Sequence, residues 1–162
     1  AMQILQLVNP DNNISAEQLS SYFEDQSRFS VFQLTDAILN NHQKQAQHML
    51  AQLQGEGTAM PILMWAIFKE ITLLLNLKLA QNQGEPLTKL WGQYRIWDKR
   101  KPLYQAALTR LELHHIEHML GLASTLELNL KQQGIEDWVG MSHLCILFDP
   151  RAHNRLAHIE LS

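Results

Sequence analysis

One cysteine in 162 residues leaves no partner for an internal disulfide and no cysteine cluster for zinc. Cys145 stands in the apolar run Leu144-Cys145-Ile146-Leu147, which predicts a buried, reduced thiol of the kind found in cytosolic proteins. Charge is sparse as well, at 18% of residues with a formal net charge of -3, so nothing global marks a polyanion-binding protein and any basic surface must be local. The seven glycines never fall into Gly-x-x-x-x-Gly-Lys-Ser/Thr or Gly-x-Ser-x-Gly, which removes a phosphate-cradling loop and a nucleophile elbow as routes to catalysis. Apolar and polar residues nowhere alternate long enough for a strand, and no repeat of solenoid length occurs. No basic start precedes the modest apolar run from Ile4 to Val8, so a secretory leader is not expected. Ala1 ahead of Met2 reads as a cloning remnant, with the expectation that the natural chain extends upstream.

What the chain does have is apolar residues, 46% of the total, at helical spacing. The longest such stretch runs from Met60 to Ala80. It is about long enough to span a bilayer, but Lys69 and Glu70 at its middle, followed by Asn76 and Lys78, would be costly in hydrocarbon. It is therefore read as the central helix of a bundle, starting around Thr58 to Pro61 and fading at 81–86. Upstream, Met2 to Val8 reads as the end of a helix. A capping pair, Ser15 with Gln18, precedes an apolar face of Leu19, Tyr22 and Phe23, and a second, Ser30 with Gln33, precedes Val31, Leu34, Ile38 and Leu39. A further helix carries Ala46, Met49, Leu50 and Leu53 inward and stops at Gly55-Glu56-Gly57. Downstream, a short helix from Leu87 to Trp91 leads through Gly92 to Asp98. Asp98 is expected to cap a helix through Leu103, Ala107 and Leu108, with Pro102 in its first turn. Helices over about 112–132 and 136–148 follow, the second with Trp138, Met141, Leu144, Cys145 and Phe148 inward, and a polar tail of uncertain order begins at Arg151. The fold class is all-α: a three-helix piece over 1–57 followed by a five-helix bundle over 58–162.

Two constellations could carry chemistry. His114-His115-Ile116-Glu117-His118 fits His-x-x-Glu-His, and histidines four apart share a helix face that could chelate zinc. The apolar stripe of that helix, Ile116, Met119, Leu120, Ala123, Leu126 and Leu130, lies nearly opposite His114 and His118, so the pair is expected on an open face without a walled pocket. No metal, cofactor or catalytic residue is assigned. Leu122 and Leu128 fall off the stripe and mark a possible subunit contact. The second constellation is Tyr94-Arg95-Ile96-Trp97-Asp98-Lys99-Arg100-Lys101, the densest positive cluster in the chain and interleaved with aromatic rings. Tyr94, Arg95, Trp97, Lys99, Arg100 and Lys101 are candidates for contact with nucleic acid, because cations track phosphates and rings stack on unpaired bases. The competing reading packs Trp97 in the core and leaves the cations to solvent or to a partner subunit. Met60, Met64, Trp65 and Phe68 are expected to be core.

Several segments resemble a known family in the same order and at nearly the same spacings. They are Phe29-Ser30-Val31-Phe32-Gln33-Leu34-Thr35-Asp36-Ala37-Ile38-Leu39, Leu50 to Gly57, Lys69 to Lys78, Arg95-Ile96-Trp97 through Arg100, and Glu127 to Gln132 with Trp138. Together, over about residues 15 to 148, they resemble the C-terminal part of the bacterial DNA polymerase III delta-subunit family. The resemblance implies a partial helical lid domain at 1–57 and a helical collar domain at 58–162, together a non-enzymatic oligomerisation module of a ring-forming, cytoplasmic clamp loader. It implies the delta prime and tau/gamma subunits as partners, primer-template DNA in the assembled complex, and a sliding clamp reached through an upstream domain. No membrane and no cofactor are implied. The rivals are a free-standing helical nucleic-acid-binding module, and a zinc hydrolase built on His114 and His118.

Overall fold

The computed structural model describes residues 30–153, which form helices joined by short turns, with no strand among them. In chain order the helices are α1 (Ser30–Leu39), α2 (Gln43–Gly55), α3 (Met60–Asn82), α4 (Leu87–Gln93), α5 (Lys101–Arg110), α6 (Leu113–Gln133) and α7 (Trp138–Ile146). A further helical turn begins at Pro150. The readings of Met2 to Val8, of Ser15 with Gln18, and of Leu19, Tyr22 and Phe23 lie outside the described residues, as does the tail beyond His153.

α3 is the spine. Pro61 sits in its first turn, where a missing N–H costs nothing. One broad side of the helix, Leu63, Ile67, Ile71, Leu74 and Leu77, is fully buried, each side chain contributing about 1.5–3 kcal/mol as an upper bound. α6 lies along it and buries Ile116, Met119, Ala123 and Leu126 at the expected spacing. By length and composition α3 could cross a membrane, but half of its apolar window is covered by the rest of the protein. Its mid-helix Glu70 is buried, not solvated, and its outer side leaves Trp65 59% exposed. The expectation that Trp65 is core is therefore corrected: at position 65 the helix has turned away from α6, toward an open recess lined by Val31, Phe32, Pro61, Ile62 and Ala66. Phe68 is only partly buried, whereas Met60 and Met64 are core as expected.

The helix ends follow the sequence signals closely. Glu112 and His115 form a reciprocal capping box at the start of α6, in which the Glu112 N–H donates to His115 Nδ1 at 3.0 Å. Gly134 ends α6 at φ 67, a conformation that glycine adopts without a Cβ penalty. Asp137 caps α7 by accepting the Gly140 N–H at 2.8 Å. Asp98 does not cap α5 as expected. Its carboxylate meets Lys101 Nζ at 2.6 Å instead, and the N-cap position falls to Arg100, which makes no side-chain cap.

The turn Gly55-Glu56-Gly57 separates α2 from α3 without a break in packing. Val31, Leu34, Ile38, Leu39, Ala46, Leu50 and Leu53 share one core with α3, α6 and α7. Hydrogen bonds sew the two sides together: Gln43 Nε2 donates to the Cys145 carbonyl at 3.2 Å, and Ser142 Oγ donates to Gln47 Oε1 at 2.5 Å. Arg110, at the end of α5, donates to the carbonyls of Ile38 and Phe148, both at 2.9 Å. Burial draws the Arg110 guanidinium down to about 10, partly offset by Asp149, so it stays charged at neutral pH. Cys145 is buried as expected, and that burial pushes its thiol up to about 12. Just after Pro150, Ala152 and His153 are buried against the body of the protein, although the sequence there reads as a polar tail.

Candidate nucleic-acid interface at the Trp97 turn

The segment from Tyr94 to Lys101 joins α4 to α5. After Tyr94 the backbone of Arg95 takes φ 54, the left-handed region that non-glycine residues enter at a cost of about 1–2 kcal/mol. Two hydrogen bonds hold it there. The Ile96 N–H donates to the Trp91 carbonyl at 2.9 Å, and the Arg95 N–H donates to the Gly92 carbonyl at 3.3 Å. This is the Schellman pattern, with arginine where glycine is usual and the half-buried Ile96 supplying the accompanying apolar contact.

The next residue, Trp97, is 76% exposed, more than any other large apolar side chain among the described residues. The reading that packs Trp97 in the core is thus corrected: Ile96 and Tyr94 face inward, and the pleat of the turn sends Trp97 outward. The Trp97 carbonyl accepts the N–H groups of Arg100 at 2.9 Å and Lys101 at 3.2 Å, which starts the first turn of α5. Among the described residues, Arg95 and Lys99 have no carboxylate partner. Lys101 is held by Asp98, whose own carboxyl is drawn below the usual range by that bond and by the lysine charge.

Arg100 is not a surface cation. Its Nη1 donates to Glu70 Oε1 at 3.1 Å and to the Tyr104 hydroxyl at 2.8 Å, and its Nε and Nη2 both donate to Asp36 Oδ1, at 3.2 and 2.9 Å. Tyr104 in turn donates to Glu70 Oε2 at 2.5 Å. Burial would lower the Arg100 guanidinium, but Glu70, Tyr104 and Asp36 outweigh it and raise its affinity for its proton. The Tyr104 hydroxyl is raised, first by burial and then by the Glu70 charge. The six candidate residues therefore divide. Trp97, Arg95 and Lys99 present a ring and two cations to solvent, while Tyr94, Arg100 and Lys101 are tied to the protein. Tyr104, four residues beyond Arg100, could have been found from helical spacing. Asp36 and Glu70, 64 and 30 residues from Arg100, could not.

The other candidates are separated by the fold. Leu122 is partly buried against the core, while Leu128 is 52% exposed. Six residues of helix turn them about 120° apart, so they do not share one face. His114 lies exposed beside Glu112 at 3.4 Å. His118 turns instead to His153, Nδ1 to Nδ1 at 2.9 Å, while His153 Nε2 donates to the Leu147 carbonyl at 2.7 Å. No group of three or more His, Cys, Asp or Glu among the described residues is arranged to hold a metal ion.

A family model described as the processivity clamp loader gamma complex DNA polymerase III C-terminal region matches residues 31–155. The chain is 32% identical over 160 residues to the DNA polymerase III subunit delta of Escherichia coli, which covers 98% of this chain and 46% of that protein. It is 27% identical over 155 residues to the subunit of the same name from Haemophilus influenzae, covering 90% of this chain and 45% of that one. The chain thus spans a little under half the length of these relatives.

Proposed function

The chain belongs to the family of the DNA polymerase III delta subunit, and from that premise we propose that residues 30–153 act as the non-catalytic collar of a bacterial, cytoplasmic clamp loader. The observation that carries this reading is the agreement between the family match at 31–155 and the single packed core that runs from Val31 to Ala152. On this reading α1 and α2 belong to the collar, and the lid would end near residue 30, not 57. The partners are the delta prime and tau/gamma subunits, with a sliding clamp engaged through a domain upstream of the collar. Mixing the full subunit with its loader partners and measuring mass in solution tests the assembly. A folded subunit that stays apart from the other subunits would overturn it.

The finer proposal is that the Trp97 turn contacts the template strand in the assembled loader. An exposed indole between Arg95 and Lys99 supports it, since base stacking is worth about 1–3 kcal/mol per base and the cations meet phosphates. Trp97→Ala should weaken primer-template binding by about fivefold to a hundredfold with assembly intact. Unchanged affinity in an intact complex would refute the contact.

A further inference from the structure

Trp97 is an exposed ring with little to hold it. Its side chain is not packed in the core, so the backbone on either side sets the place and the Cα–Cβ direction from which the ring projects. On the N-terminal side, Ile96 is pinned by its hydrogen bond to the Trp91 carbonyl and by its half-buried side chain. On the C-terminal side, the N–H of Arg100 holds the Trp97 carbonyl, and the Arg100 side chain is in turn gripped from three helices: Asp36 on α1, Glu70 on α3 and Tyr104 on α5.

A buried ion pair is by itself weak evidence for stability, because desolvation offsets much of the Coulombic gain. Such a group can instead select one conformation among several. Fixing the backbone that carries an aromatic platform also removes part of the conformational freedom that binding would otherwise cost. We propose that Glu70, Tyr104 and Asp36, acting through Arg100, are positioning residues that hold the backbone from which Trp97 projects. The consequence for DNA binding rests on the template-contact reading above; the positioning itself does not. Asp36 also ties the turn to α1, the first described helix, so a shift of α1 is transmitted to Trp97.

The test uses the full-length subunit labelled with 5-fluorotryptophan, with the Trp97 fluorine resonance identified by its loss in Trp97→Phe. Tyr104→Phe removes the hydroxyl that bridges Arg100 and Glu70. Asp36→Asn weakens the tie to α1 at a half-exposed carboxylate, where misfolding is not expected. Both should shift or broaden the Trp97 signal while that of Trp138, on α7, is unmoved. In the assembled loader, Tyr104→Phe should raise the dissociation constant for primer-template about 3- to 10-fold in the native background and have little effect in the Trp97→Ala background. A Trp97 signal unchanged in both variants overturns the positioning role. So does an equal loss of DNA affinity with and without Trp97, which would mark the network as only structural. If Trp97→Ala leaves DNA affinity untouched, the template-contact reading falls, and the fluorine signal still decides the positioning claim.

Discussion

Removing the Arg100 side chain alone should be far more damaging than removing the whole polar cluster around it. Glu70 is only 5% exposed, and its two oxygens are satisfied by Arg100 Nη1 at 3.1 Å and by the Tyr104 hydroxyl at 2.5 Å. In Arg100→Met the carboxylate keeps the tyrosine but loses its counter-charge, and an uncompensated buried charge costs about 3–5 kcal/mol. Set against a total stability of about 5–15 kcal/mol, that is a large fraction, equivalent to a fall in Tm on the order of 10 °C. The triple variant Glu70→Met, Arg100→Met, Tyr104→Phe removes the charge, its counter-charge and the hydroxyl together, leaving groups of similar volume with no desolvation penalty. It should be as stable as the native chain, or more stable by about 1–4 kcal/mol. Asp36, half-exposed on α1, is left to water in both variants. Urea unfolding followed by far-ultraviolet circular dichroism measures each variant, with an unchanged m-value required for the comparison. A single variant that loses less than about 1 kcal/mol, or a triple variant as unstable as the single, would refute the account of Glu70 as a charge dependent on Arg100.

Other consequences can be checked in the same way. A Cβ at Gly140 would lie 2.6 Å from Leu126 Cδ2 and 2.7 Å from Asp137 Oδ2, so Gly140→Ala should lose about 1–2 kcal/mol despite the better helix propensity of alanine; equal or greater stability in urea would contradict the close α6–α7 approach. Arg95→Gly relieves the left-handed strain at φ 54 and removes a cation, so it should leave the unfolding midpoint level or higher while primer-template affinity of the assembled loader drops. A drop in midpoint would count against the Schellman assignment. His153 is lowered to about 4, first by burial, against the opposing pull of its bond to Leu147 and with help from His115, His118 and His114. Since the unfolded chain binds the proton more tightly, the contribution of His153 is complete above about pH 6.5 and is lost as pH falls from there to about 4. The loss should be on the order of 1–2 kcal/mol after allowance for partial solvation, and it should vanish in His153→Gln. An identical pH profile in that variant would exclude His153 as its source.

Much of the helical layout was readable because local signals report local structure. Asn41, Gly57, Gly84 and Gly134 follow helix ends at positive φ, which asparagine and glycine tolerate, and Pro61 and Pro102 sit in first turns, where an absent N–H is harmless. The faces of α1 and α6 followed from the spacing of Val31, Leu34 and Ile38 and of Ile116, Met119 and Ala123. Failures came where periodicity was silent. α3 is apolar all round, so spacing could not tell Trp65 from Leu63, and only the placement of α6 decided which of them met solvent. Asp98 had the chemistry of a cap, but Lys101 competed for the same carboxylate. The tail from Arg151 looked polar, yet His153 found a hydrogen-bonded place against α6.

The candidate site shows the same division within eight residues. From the sequence alone came the all-α class, the family and the cluster of aromatic and cationic side chains between Tyr94 and Lys101, since composition, spacing and order are properties of the chain itself. Which of those side chains are available to a partner was decided only by tertiary structure. Folding brought Asp36 and Glu70 to Arg100 across 64 and 30 residues and withdrew that cation from the surface, while the hydrogen-bonded turn at Arg95 and Ile96 sent Trp97 outward. A charge is neutralised by whatever acid the fold places within hydrogen-bond reach, and that distance in space is not written in the local pattern of the sequence.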